Sequence, residues 1–192
     1  MERQEQFRFG IEKGKIFQLG FLVKNVDEAM AFYVSTLNIG PFVCNRGFIA
    51  AEGCYRGSAD SPTLTIAHAF SGSLFIELIE QHTDTPSVYT EFFDKHSYGL
   101  HHFGIAIAPE IYTETVDSFY QNGFEDVFTD RAPTGAQIHY IAPRGENAME
   151  KMRISLGAGY LECVEVLEST EEFFTDIKHA ASEWDGKTII RK

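Results

Sequence analysis

The chain has 192 residues, 44% of them hydrophobic, a formal net charge of −12 and an isoelectric point near 5.0. That length and apolar content suit one sizeable domain or two small ones sharing a core, and they exclude wholesale disorder. The acidic balance repels phosphate backbones, which excludes nucleic acid as a partner, and no segment approaches the ~20 apolar residues that span a bilayer.

Residues 1–14 read as a polar, mobile lead-in, and Met1 to Glu5 lack the apolar core of a signal peptide, so the expected compartment is the cytoplasm. Lys15 to Val23 reads as the first strand. Asn25 caps a helix, with Glu28 three residues on to bond back, and Ala29, Met30, Phe32, Tyr33 and Leu37 recur at helical spacing until Gly40-Pro41. Between Phe42 and Leu64, short apolar pieces broken by glycines suggest hairpins. Thr63–Phe70 and Leu74–Glu80 are strands around the turn Ser71-Gly72-Ser73. Gln81 to Tyr98 is a polar linker with a short helix at Val88, Tyr89, Phe92 and Phe93.

Leu100–Ile107 is again an apolar strand, followed by a helix from about Pro109 to Asn122 with Gly123 at its end. Phe124–Phe128, Gln137–Ala142 and Gly159–Leu167 are the next strands. Thr170–Trp184 is an amphipathic helix expected to cover a sheet edge or a subunit boundary. Three widely spaced cysteines, Cys44, Cys54 and Cys163, give no disulfide framework.

The order β, α, β, β, β thus occurs twice, which marks an internal duplication. The fold class is α+β, with tandem βαβββ modules at 15–80 and 99–168, a linker at 81–98 and a tail at 169–192. Gln18-Leu19-Gly20 in the first strand matches His102-Phe103-Gly104 at an offset of 84 residues, and Glu77 matches Glu162 at 85. Glu77 shares its strand face with Phe75 and Ile79, and Glu162 shares its face with Tyr160 and Val164. An ionised carboxylate in such company is costly unless a partner holds it. One divalent cation bound by both acids accounts for the two together, with Gln18 and His102 adding one ligand from each half. Two carboxylates, an imidazole and an amide oxygen suit Zn, Ni, Co, Mn or Fe(II).

Other polar residues are ranked lower. His68 and His139 lie in apolar strands as candidate substrate contacts. Arg144, Lys151 and Arg153 flank a glycine-containing loop, either to hold an anionic group or as a solvated hairpin tip. His101 points away from His102 and reads as structural or on the surface, and Glu80 and Glu165, near strand ends, read as solvated.

Over about Lys15 to Leu167, the paired modules, the Gln18-x-Gly20 and His102-x-Gly104 strands and the two glutamates resemble the vicinal oxygen chelate superfamily, which includes glyoxalase I, methylmalonyl-CoA epimerase, extradiol dioxygenases and bleomycin-resistance proteins. The resemblance implies a curled mixed sheet around a shared cleft, a metal held by Gln18, Glu77, His102 and Glu162, and a homodimer acting on a small molecule. The ligand order is similar to that of Zn-type glyoxalase I, in which a ligand carboxylate moves a proton through an enediolate. By that likeness Glu162 is the first candidate base and Glu77 the second. Leu22, Gln81 and Tyr98 stand where glyoxalase I has its glutathione-holding Arg, Asn and Arg. The resemblance therefore implies a metal-dependent isomerase, epimerase or lyase acting on something other than glutathione, apolar or aromatic. An Fe(II) extradiol-type dioxygenase and a non-catalytic, resistance-type binding protein are the alternatives.

Overall fold

The two apolar runs that begin the repeats become β1 (Lys15–Leu22) and β6 (Gly99–Ile107), which pair antiparallel at the middle of one sheet. The computed structural model of the chain describes residues 6–191. To one side of β1 lie β5 (Leu74–Gln81), β4 (Leu64–Ser71) and β2 (Val43–Phe48). To the far side of β6 lie β9 (Tyr160–Glu165), β8 (Gln137–Pro143) and β7 (Phe124–Arg131). β1 runs parallel to β5, and β6 runs parallel to β9. Each half therefore needs a crossover, which α1 (Val26–Leu37) and α3 (Tyr112–Gln121) begin.

The ninth strand, β3 (Cys54–Tyr55), leaves its own half and pairs with β7, at the far edge of the other. Residues between β2 and β4 thus form a strap across the molecule rather than the local hairpins expected from their glycines. The result is a mixed, curled half-barrel of α+β class, built from two βαβββ units with helices around them.

Local chemistry explains the helix ends. Asn25 accepts a hydrogen bond from the Glu28 amide at 3.0 Å and caps α1, which ends at Asn38 in the left-handed region. Val26, Met30 and Val34 of α1 bury against Ala67, Ala69, Ile76 and Leu78 on one face of the sheet. α3 does the same for the second half over Ile105, Ile107 and Cys163. The linker forms α2 (Val88–His96), with Ser87 as its cap.

Three further sequence expectations change. Phe7, Phe9 and Ile11 are buried, so the described part of the lead-in, residues 6–14, is core and not a mobile tail; residues 1–5 lie outside the described residues. Phe9 is drawn in by Phe17 and Phe174, whose ring centres lie 5.9 and 5.0 Å away. The stretch read as a hairpin tip is a helix, α4 (Ala148–Leu156), anchored by buried Met149 and Met152. The last helix, α5 (Glu168–Ser182), lies against β4 with Phe174 on Phe75, which puts it over the sheet face opposite α1. Among the described residues, no helix is long and apolar enough to cross a membrane.

Candidate metal centre

The strand register brings the four singled-out residues to one point. Across the sheet, one row runs His68, Glu77, Gly20, His102, Tyr160 and the next runs Tyr140, Glu162, Gly104, Gln18, Phe75. The rows exchange under the pseudo-twofold between the halves. Each holds two of the four residues, separated by a glycine, and each glycine makes room for a side chain. A methyl group on Gly20 would overlap the His102 ring, and one on Gly104 would lie 2.7 Å from Gln18 Cβ.

The Gln18 side-chain nitrogen lies 3.1 Å from Glu77 Oε2, 2.7 Å from Glu162 Oε2 and 3.0 Å from His102 Nε2. His102 Nε2 is in turn 3.2 Å from Oε2 of each glutamate. All four residues are buried, His102 completely. Burial acts against charge on His102, but the adjacent Glu162 and Glu77 carboxylates outweigh it and push its pKa up to about 9. Burial likewise raises the Glu77 pKa, and hydrogen bonds from His102 and His68 reverse the effect and hold it well below the ordinary carboxylate range.

Two carboxylates and one imidazolium leave a net negative charge enclosed in protein, which is costly. A divalent cation with a neutral imidazole would bring the sum to zero. Donor geometry fits that exchange: one donor atom from each of Glu77, His102 and Glu162 lies within 4.8 Å of the other two. Gln18 would join by turning its amide oxygen inward in place of the nitrogen.

The remaining predicted residues divide. His68 Nε2 bonds Glu77 Oε1 at 2.8 Å and faces the same cavity. His139 does not, because it sits one residue off the Tyr140 row and points to the other sheet face, bonded to Asp126 and Tyr120. Arg144 is exposed just past the end of β8 and reaches no part of the cavity. Lys151 and Arg153 ride on α4, where Arg153 pairs with Glu150 at 2.9 Å. Glu80 and Glu165 are not merely solvated, since they accept backbone hydrogen bonds from Val26 and Gln137. His101 is fully buried, so the surface alternative for it fails. Sequence reasoning missed Tyr140 and Tyr89, whose rings pack at 6.5 Å beside the centre.

Above these four residues opens a cavity of about 310 Å³. Phe48, Leu64, Ile66, Phe128, Ile138 and Phe173 supply much of its wall, and no Lys or Arg among the described residues lines it. α2 contributes Val88 and Tyr89, and α5 contributes Phe173 and Phe174, so both added helices close the site.

Residues 17–142 match the family model described as Glyoxalase/Bleomycin resistance protein/Dioxygenase superfamily. The chain belongs to that superfamily. Solved structures share this glyoxalase fold. A hypothetical protein from Bacillus halodurans is similar at 21% identity and TM-score 0.55, over 81% of this chain and 96% of its own. Methylmalonyl-CoA epimerase from Mycobacterium tuberculosis is similar at 16% identity and TM-score 0.53, over 80% and 88%. A variant of the Streptomyces coelicolor epimerase, in complex with 2-nitronate-propionyl-CoA, gives 15% and 0.51, over 80% and 98%. No curated protein matches the chain significantly.

Proposed function

We propose that this glyoxalase-superfamily protein is a metal-dependent isomerase, epimerase or lyase that moves a proton on the carbon next to a carbonyl. The observation that carries this is the convergence of Gln18, Glu77, His102 and Glu162 at the base of an apolar cavity. These four residues would hold one divalent cation, of Zn, Ni, Co, Mn or Fe(II). When bound, the cation supplies Lewis acidity toward a carbonyl oxygen and stabilises negative charge developing there.

The two glutamates are unequal. Oε1 of Glu77 is tied to His68, whereas Oε1 of Glu162 has no hydrogen-bond partner among the described residues. Glu162 is therefore the first choice for the base that accepts the proton, and Glu77 the second. His68 restrains Glu77 and faces the substrate. An uncharged apolar or aromatic carbonyl compound fits the wall, because no Lys or Arg among the described residues lines it to neutralise a phosphate or a glutathione carboxylate. The reading also includes a cytoplasmic homodimer in which 15–80 and 99–168 act as paired modules.

The test is metal analysis of the purified protein, reloaded with each of the five ions, followed by deuterium incorporation at the CH2 of 2-hydroxyacetophenone in D2O. One equivalent of metal per chain is expected. Glu77→Gln and Glu162→Gln should lower its affinity beyond the roughly 10–100-fold that loss of a supporting partner costs, and Glu162→Gln should abolish the exchange. Retention of none of the five ions ends this reading.

A further inference from the structure

We propose that His101 is a positioning residue that fixes the ring of its neighbour His102 in the tautomer a cation requires. This rests on the metal reading of the previous section. His101 Nδ1 lies 2.9 Å from His102 Nδ1, with the rings at 89°. The other nitrogen of His101, Nε2, lies 3.2 Å from the Val88 carbonyl oxygen in the first turn of α2.

Proton placement follows from these two contacts. A carbonyl oxygen only accepts, so His101 Nε2 carries a hydrogen. A neutral His101 then has a bare Nδ1, and the single proton between the two Nδ1 atoms belongs to His102. That leaves the lone pair of His102 on Nε2, the atom that faces Gln18, Glu77 and Glu162. A charged His101 would reverse this order, but its surroundings oppose it. The ring is completely buried among Tyr89, Tyr160 and Phe92, at centre distances of 4.9, 4.9 and 5.1 Å, and it sits beside the place of a divalent cation.

Two further observations separate this role from plain packing. On a regular strand, adjacent side chains point to opposite faces, so the two imidazoles would not meet. Here β6 carries a bulge: Gly20 pairs with His102 and Phe21 with Leu100, which leaves His101 as the extra residue. The other half has the matching bulge at Phe17, since Ile16 pairs with Ile105 and Gln18 with Gly104. Phe17 fills its position with an apolar ring among Phe9, Phe75 and Phe174. Packing at this position is thus satisfied by phenylalanine where the ligand is glutamine. A histidine stands there only where the ligand is a histidine with a tautomer to set.

The experiment is nitrogen-15 spectroscopy of the wild-type protein loaded with cadmium-113, with zinc affinities of His101→Leu and His101→Gln measured beside it. His102 should show cadmium coupling at Nε2 and a proton on Nδ1, and His101 a proton on Nε2 and a bare Nδ1. Zinc affinity should fall about 10–100-fold in His101→Leu, as for other lost partners of a ligating histidine. Glutamine, which can accept from His102 and donate to Val88, should stay within about threefold of wild type. A proton on His101 Nδ1, or cadmium coupling at His102 Nδ1, overturns the proposal even if the leucine variant fails to fold. So does a folded His101→Leu protein with wild-type affinity. A wild-type protein that binds neither ion overturns the metal reading itself and this inference with it.

Discussion

Glycine at positions 20 and 104 is required by what lies across the strand pair and not by backbone angle. Each gives its place to a side chain of the other half, His102 over Gly20 and Gln18 over Gly104. Gly20→Ala should therefore cost about 1–3 kcal/mol of stability, the usual penalty of overpacking. It should also weaken zinc binding more than tenfold, because the His102 ring must move; tenfold is about 1.4 kcal/mol. Urea unfolding with and without zinc measures both. Unchanged zinc affinity would mean that the ring position does not matter. The four residues that converge were legible in the sequence because duplication places them at nearly constant offsets. Tyr140 was not. It stands opposite Glu162 as His68 stands opposite Glu77, yet it follows His68 by 72 residues while the glutamates are 85 apart. The difference is the insertion of α4 between β8 and β9, which breaks the offset between the two halves. His139, a candidate contact from its place in an apolar strand, lies one residue along and on the other face.

At the scale of elements, periodicity located the strands of both modules but not their partners. β3 is two residues long and pairs with a strand some seventy positions later, so nothing local announces it. Its hold on the second half is reinforced from α2, where Glu91 accepts from Arg56 Nη2 at 2.9 Å, Arg56 Nε at 3.0 Å and the Tyr55 hydroxyl at 2.7 Å. Burial raises the Glu91 pKa, and these donors overcome that and leave it lowered. A lowered carboxylate stabilises the fold above its unfolded value of about 4.3 and loses that contribution as pH falls below it. The stability gap between wild type and Glu91→Gln should shrink between pH 6 and pH 3. Its size at neutral pH should be no more than about 1 kcal/mol, since solvent reaches much of the latch. A gap that widens on acidification would contradict the assignment. α5 was legible as an amphipathic helix, but its seat was not, because pattern alone does not say which surface a stripe covers. Phe174 packs on Phe9, Phe17 and Phe75 at 5.0, 5.1 and 4.9 Å. Phe174→Ala should cost about 3–5 kcal/mol in a denaturant titration, and a loss under 1 kcal/mol would place the helix elsewhere.

The whole molecule is two similar halves that meet at the central antiparallel pair β1–β6 and again where β3 joins β7, and the centre draws on both. Gln18 and Glu77 come from the first half and His102 and Glu162 from the second, so any ion they hold is a tie between halves as well as a cofactor. A ligand that binds only the folded state stabilises it by about 2.7 kcal/mol at a hundredfold excess over its dissociation constant. Zinc at that excess should raise the unfolding free energy by this amount. The single tryptophan makes the coupling visible. Trp184 follows β9 in the chain but packs beside Gly40 and Val34 of the first half. If the halves unfold as one unit, its fluorescence and the far-ultraviolet circular dichroism should report the same zinc-dependent midpoint. Glu162→Gln, a change confined to the second half, should then remove the zinc shift from the tryptophan signal as completely as Glu77→Gln does. A tryptophan midpoint that still responds to zinc in Glu162→Gln would show a cation held by the first half alone, and the shared centre would have to be abandoned.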